Sequence, residues 1–341
     1  MTLMKAFTCL LLLTVPTTIW AQLGLVLPTE NSTLLEKNPA GYFQFVDRTF
    51  EGEKTTPWEG GQFGFVRDPR RVGSRIAFAR FHEGLDVKPL RRDARGDPLD
   101  EVRAIAAGQV VYVTAATGLS NYGRYIVVRH DLAGAGPFFS LYAHLKQAGV
   151  QAGDAVKAGQ TIGVMGYTGA GIDQRRAHVH VELNLLLDGQ FEAWHAKHFT
   201  TPNHHGLYNG LNLIGLDLQS LYLAAAKNPA LSLPDFVRSQ EPALRVRVPG
   251  NARMELLDRH PWLSGGKTSG AASWEVTLTR WGFPIEVRPG TENTAAAGVT
   301  WVKDTGLPHY LNTRGLVTGS GSTGKLTVEG LRYLQLLCGL P

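Results

Sequence analysis

Between Gln62 and about Leu187 the chain is a succession of short β-branched and aromatic runs separated by turn signals. That spacing limits the fold more than any other feature. Ile105–Val113, Tyr125–Arg129, Val156–Val164 and His178–Leu183 each suit an extended, pleated segment in which branched side chains pack well. Asn121-Tyr122-Gly123 places a turn between the first two. Strands this short, at such regular intervals, predict a mainly β protein built as a compact antiparallel sandwich or barrel.

The flanking segments read differently. Lys5, the apolar run Leu10–Val15 and Thr18-Ile19-Trp20-Ala21 make residues 1–21 a secretory signal peptide, with an apolar stretch too short to span a bilayer. No later stretch is long and apolar enough for a membrane span, so an exported chain is expected, periplasmic or extracellular at the cell wall. Residues 22–61 form an N-terminal extension of mixed polarity, which either faces the wall or packs on the main domain as a strand. The β-rich domain occupies 62–190. A linker, 191–204, opens with a helical stretch at Phe191–His198. Residues 205–341 form a smaller α+β C-terminal domain, with helical spacing at Leu216–Lys227 and Thr327–Leu337 and strand-like runs at Leu244–Val248, Trp274–Thr279 and Pro284–Val287. Gly315–Gly324, rich in Gly, Ser and Thr, reads as a loop.

Hydrophobic content of 43% and charged content of 18% fit an ordinary globular chain. With Cys9 in the leader, Cys338 alone remains, so no internal disulfide is expected, and Leu336-Leu337-Cys338 reads as buried apolar filler. The formal charge of +5 favours anionic envelope polymers. Arg70-Arg71, Arg91-Arg92 and Arg175-Arg176 are isolated pairs without interleaved aromatics, which argues against a nucleic-acid partner. Nothing calls for oligomerisation, and a monomer is expected.

Chemistry concentrates in three short motifs. His82 and Asp86 are four apart, but Gly84 between them and Pro89 after them disfavour a helix. A strand or turn that bends at Gly84 brings imidazole and carboxylate together. In His178-Val179-His180-Val181-Glu182 strand alternation puts His178, His180 and Glu182 on one face and the valines on the other. The plain alternative is a polar strand face that meets only water. His144 follows the strand-like Leu141-Tyr142-Ala143. Catalytic zinc takes three protein ligands and leaves a position for water, whose pKa falls to about 7. His82, Asp86 and one histidine of the pair meet that requirement; the other histidine and His144 remain to move a proton or stabilise an oxyanion. No H-E-x-x-H helix is present. His195 and His198 lack a third ligand and read as a solvated helix face, and His130, His204, His205, His260 and His309 read as ordinary polar surface.

In order, Phe63-Gly64-Phe65, His82–Asp86, Asn121-Tyr122-Gly123, Leu141–Leu145, Gly166-Tyr167-Thr168-Gly169 and His178–Glu182 follow the pattern F-G-x-R, H-x-G-x-D, N-Y-G, L-Y-A-H-L, G-x-T-G and H-x-H-x-E. Over residues 62 to 187 the sequence thus resembles the lysostaphin-type, LytM-like zinc metallopeptidases, the peptidoglycan endopeptidases of the duplicated hybrid motif type. The resemblance implies zinc held by His82, Asp86 and His180, with His144 and His178 as catalytic imidazoles, and peptidoglycan peptide as the partner. It implies a zinc metalloendopeptidase acting on cell-wall cross-links; a non-catalytic wall-binding or amidase-activating module, or a zinc peptidase of envelope proteins, is the alternative. Glu182 is expected to partner an imidazole. Three departures stand out: Arg91–Glu101 is longer than the family's link, Arg176-Ala177 stands where Gly-Pro is usual before His178, and Gly171–Arg176 is an insertion. All are expected near the groove.

Overall fold

The computed structural model describes residues 22–267 and 269–340; the leader expected over residues 1–21, with Cys9, lies outside them. Strands form where branched and aromatic residues alternate. They are β1 (Gly64–Val72), β2 (Arg75–His82), β3 (Leu85–Val87), β4 (Glu101–Arg103), β5 (Gly108–Thr114) and β6 (Tyr125–Leu132). Then follow β7 (Gly136–Ala143), β8 (Gln147–Ala148), β9 (Ala155–Val156), β10 (Thr161–Val164), β11 (Val179–Leu186) and β12 (Leu213–Gly215). Seven of them build one antiparallel sheet in the order β12-β11-β7-β6-β5-β9. β3 pairs with Val179–Val181 of β11 while β12 pairs with Asn184–Leu186, so the two share its outer edge. β4, β10 and β8 form a three-stranded sheet, and β1 and β2 a long hairpin. Among the described residues the mainly β, antiparallel architecture is as expected, but no sheet closes into a barrel.

The large sheet is covered on both faces. Ile126, Val128, Tyr142, Val179, Val181 and Leu183 enter the larger apolar cluster, together with Val102 and Ile162 of the three-stranded sheet. Tyr125, Val127, Leu141, Ala143 and Leu186 enter a smaller cluster on the opposite face. Each buried Val, Ile and Leu among them contributes roughly 1.5–3 kcal/mol by leaving water. With two covered faces, every residue of β11 is buried, the polar ones included.

Residues from the expected N-terminal extension pack onto this body. Leu25, Tyr42 and Phe43 join the larger cluster. The Gln44 N–H donates to the Asp86 carbonyl at 2.8 Å and the Lys88 N–H to the Tyr42 carbonyl at 3.0 Å, which lays the segment along β3.

Farther along, helix Phe191–His198 matches the helical stretch expected there. Helix Leu218–Lys227 starts where Asp217 accepts the Ser220 N–H at 2.9 Å. Helix Val328–Cys338 is capped by Thr327 and stops at Gly339, whose φ of 63° is cheap only for glycine. β13 (Leu244–Pro249), β14 (Ser273–Leu278), β15 (Pro284–Gly290) and β16 (Gly298–Val302) form a second antiparallel sheet in the order β15-β14-β13-β16. The larger cluster runs on through Leu221, Val246 and Val276 to Leu337 and Cys338. Burial pushes the Cys338 thiol up to about 12.

Two expectations are corrected. Gly315–Gly324 is not a plain loop: β17 (Val317–Ser320) and β18 (Thr323–Leu326) pair across a two-residue turn at Gly321-Ser322, with Gly321 at φ 63°. His130, His195, His205, His260 and His309 are not surface groups but are buried. The imidazoles of His130 and His260 donate Nδ1–H to the carbonyls of Ala107 and Ala135, both at 2.9 Å, and burial lowers each to about 4. No helix among the described residues is long and apolar enough to cross a membrane.

Candidate metal centre

Register places the motif residues together. His180 of β11 stands opposite Asp86 of β3 on one side and Ala143 of β7 on the other, and residues directly opposite in register share a face. His144 follows Ala143, and His178 bridges Gly166 just before β11 begins. His82 is the last residue of β2, from which the chain turns through Glu83 and Gly84 into β3.

Gly84 is needed there for proximity. A Cβ on it would lie 2.5 Å from the Val181 carbonyl oxygen and 2.9 Å from His180 Cε1. Its φ is not in the left-handed region, so the expected role as a bend gives way to close approach. Gly84→Ala should push the turn off β11 and weaken zinc binding roughly 10- to 100-fold in a competition titration. An unchanged affinity would show that the turn accommodates a methyl group.

His82 Nε2, His180 Nδ1 and Asp86 Oδ1 converge, with Nε2–Nδ1 at 3.0 Å, Nε2–Oδ1 at 3.0 Å and Nδ1–Oδ1 at 2.9 Å. His178 Nε2 lies 3.3 Å from the same carboxylate oxygen. The His144 ring is centred 4.7 Å from that of His178 and 5.9 Å from that of His180. The five residues are only 2% to 7% exposed, so the alternative of a polar face meeting only water does not describe them.

The tautomers follow from the partners, since a carbonyl oxygen can only accept. His82 Nδ1–H donates to the Gln62 carbonyl at 2.7 Å, His144 Nδ1–H to that of Thr168 at 2.8 Å, and His178 Nδ1–H to that of Arg176 at 2.7 Å. His180 is anchored the other way round, its Nε2–H donating to Glu182 Oε1 at 2.7 Å. Glu182 also accepts from Tyr122 Oη at 2.7 Å and Asn184 Nδ2 at 2.9 Å. These donors hold its carboxyl below the usual range although burial opposes them. Each imidazole therefore has one nitrogen fixed and the other carrying a lone pair.

Two such lone pairs and a carboxylate oxygen meet with no proton required among them, which is the chemistry of a cation site. Ligand atoms 2.0–2.1 Å from a tetrahedral zinc stand roughly 3.3 Å apart, close to the spacings here. The three residues form a group able to hold a metal ion. The surrounding charges favour a cation at this point. Burial would depress His180, but the hydrogen bonds it makes to the Asp86 and Glu182 carboxylates, together with their charges, outweigh it and raise it to about 9. Without a metal a proton therefore takes the place between His180 Nδ1 and Asp86, and a bound cation would displace it. Burial works against the charged Asp86 as well, yet His178, His82 and Arg67 hold its carboxyl well below the usual range. Burial lowers His82 and His144, in the latter case reinforced by His178 and His180.

Some contributors were not singled out from sequence. The Arg67 guanidinium pairs with Asp86 Oδ2 and donates from Nε to the Gly60 carbonyl at 2.8 Å, leaving Oδ1 for the imidazoles. Arg67 was hidden because Phe63-Gly64-Phe65-Val66-Arg67 has one residue more than F-G-x-R. An irregularity in the β1–β2 register between Phe65 and Arg67 absorbs that residue. Tyr122 reads in the sequence only as part of a turn, yet its hydroxyl reaches Glu182. His144 has φ 63°, a sparsely populated conformation for a non-glycine residue.

Residues 80–190 match the family model described as Peptidase family M23. The peptidoglycan DD-endopeptidase ShyC of Vibrio cholerae is 31% identical over 160 residues, 46% of this chain and 32% of that protein. Lipoprotein NlpD of Yersinia enterocolitica is 38% identical over 76 residues, 22% of this chain and 69% of that protein. The chain spans only 18% to 32% of the length of four other curated relatives, ShyC among them. Among solved structures, the catalytic domain of lysostaphin from Staphylococcus simulans is 28% identical over 36% of this chain and 75% of that one, with a TM-score of 0.24.

Proposed function

We propose that this chain, which belongs to peptidase family M23, is an exported zinc endopeptidase that hydrolyses peptide cross-links of bacterial peptidoglycan. One observation carries the reading. Three imidazoles, those of His82, His178 and His180, crowd a single buried carboxylate oxygen, the ring of His144 packs against two of them, and each of the four has one nitrogen fixed by an acceptor. A non-catalytic module has no need of that arrangement.

His82, Asp86 and His180 would hold the zinc. When bound, zinc supplies Lewis acidity, polarising a carbonyl and lowering the pKa of water to about 7. The rest falls to the chain's own residues. His144 and His178, with Nδ1–H held by carbonyls, keep Nε2 free to accept a proton and to return it to the departing amine. Glu182 fixes the His180 tautomer and strengthens its basicity, and Arg67 keeps Asp86 Oδ1 turned toward the imidazoles. Residues 62–190 would carry the reaction. Relatives named as lipoproteins and as a DD-endopeptidase support an envelope location and a wall substrate.

The relatives named as lipoproteins are also compatible with a second reading, a wall-binding module without activity. Digestion of purified cell wall separates the two. The zinc-loaded chain should release peptides with new amino termini, stop when a chelator removes the metal, and resume when zinc is returned. Wall binding by the zinc-loaded chain without new amino termini would support the second reading.

A further inference from the structure

The two segments in which this chain departs from the family pattern meet in space. Arg92 reaches from the first to the second, its guanidinium donating to the Gly96 carbonyl at 2.8 Å, to that of Gln174 at 2.7 Å and to that of Arg175 at 3.2 Å. Gln174 answers with its amide, donating to the Arg95 carbonyl at 3.0 Å and to Asp97 Oδ1 at 2.6 Å. Asp97 also accepts from Tyr167 Oη at 3.1 Å and lies 3.3 Å from Lys146 Nζ. The loop that carries it is closed by Asp93, whose carboxylate takes the N–H groups of Arg95 and Asp97 at 2.8 and 2.9 Å.

Each partner of Asp97 stands one or two residues from one of the imidazoles of His144 and His178 or from the carbonyl that anchors it. Lys146 is two residues after His144. Tyr167 precedes Thr168, whose carbonyl holds His144 Nδ1. Gln174 opens the 3₁₀ turn Gln174–Arg176, which Asp173 caps by accepting the Arg176 N–H at 2.9 Å, and the Arg176 carbonyl holds His178 Nδ1. One carboxylate thus gathers the three chain segments that orient both imidazoles flanking the metal centre.

We propose that Asp97 is a positioning residue for the reaction: by clasping Gln174, Tyr167 and Lys146 it aims the carbonyls of Thr168 and Arg176 at His144 and His178, and so keeps both rings in the Nδ1–H tautomer. This rests on the reading of His144 and His178 as the proton-handling groups. The physical reason is geometric. An unanchored imidazole rotates and exchanges tautomers, whereas proton transfer requires Nε2 free and aimed at the reacting atoms. The inserted segments then serve as the outer support of the catalytic rings. Asp97 itself need not touch substrate.

The test uses the full zinc-loaded chain and its Asp97→Ala, Asp97→Asn and Gln174→Ala variants. Asp97→Ala should lower kcat on cell-wall peptide about 10- to 100-fold, with KM and zinc content unchanged. Asp97→Asn still accepts from Gln174 and Tyr167 and should restore most of the rate. Long-range proton–nitrogen NMR correlations should show His144 and His178 as Nδ1–H in the parent chain and as mixed tautomers in Asp97→Ala and Gln174→Ala. Unchanged kcat, or unchanged tautomers, in both the Ala variants overturns the proposal. A parallel fall of kcat, zinc content and melting temperature in Gln174→Ala and Asp97→Asn also overturns it, by assigning Asp97 a purely structural role. If the parent chain cleaves nothing, the functional reading fails, while the NMR arm still decides whether Asp97 sets the tautomers.

Discussion

Asp86→Ala and His180→Ala chains should purify without stoichiometric zinc and should release no peptide from cell wall, whereas the parent chain should hold one zinc. Structural zinc sites bind with about 10–16 kcal/mol, so one ligand position among four carries roughly 2.5–4 kcal/mol, on the order of 10²-fold or more in affinity. Removing Asp86 also leaves the Arg67 guanidinium without its carboxylate, a further cost at a partly buried charge. Metal analysis and a zinc-induced rise in melting temperature measure the loss together, because a ligand bound only by the folded state raises stability by mass action. Stoichiometric zinc in Asp86→Ala would remove Asp86 from the ligand set.

The second large effect should separate chemistry from binding. His144→Ala and His178→Ala should keep zinc at near-parental affinity and lose about 10²- to 10⁴-fold in kcat, the usual contribution of a positioned proton-transfer group. Neither has a ring nitrogen among the three that converge most closely; His178 Nε2 stands farther from Asp86 Oδ1, at 3.3 Å, than either proposed ligand nitrogen does. Both replacements leave the Gln62 and Glu182 anchors of the proposed ligands in place. Zinc lost from His178→Ala would exchange the roles of His178 and His180. Activity kept in both variants would leave the proton-handling reading without support.

The contrast between these experiments matters because the site is so compact. Ligand and base variants should both lose most or all of the activity, and metal content tells them apart. Gly84→Ala should fall between them, weakening zinc by shifting a turn while every donor atom is retained.

Much of the site was legible because its members sit on short, periodic segments. Strand alternation alone put His178, His180 and Glu182 on one face, and Gly84 and Pro89 argued against the helix that the four-residue spacing of His82 and Asp86 would otherwise allow. Alternation could not say what lies across from that face. A second apolar cluster covers it, so the polar residues of β11 are buried and the hydrogen bond between His180 and Glu182 is sequestered from water. The histidines read as surface, His130 and His260 among them, were misplaced for the same reason. Their burial depends on which segments pack over them, and a lone imidazole carries no periodic signal of that.

Local sequence by itself determined the residue chemistry, the strand periodicity and the order of the motifs, because these depend only on neighbours along the chain. Tertiary structure decided the rest. It set His180 in register with Asp86 across ninety-four residues, absorbed an extra residue in β1 so that Arg67 reaches the Asp86 carboxylate, and closed the two inserted segments over Asp97. Each of these is a contact between segments distant in sequence. Its geometry is set by sheet register and by the two covered faces, and no local pattern encodes either.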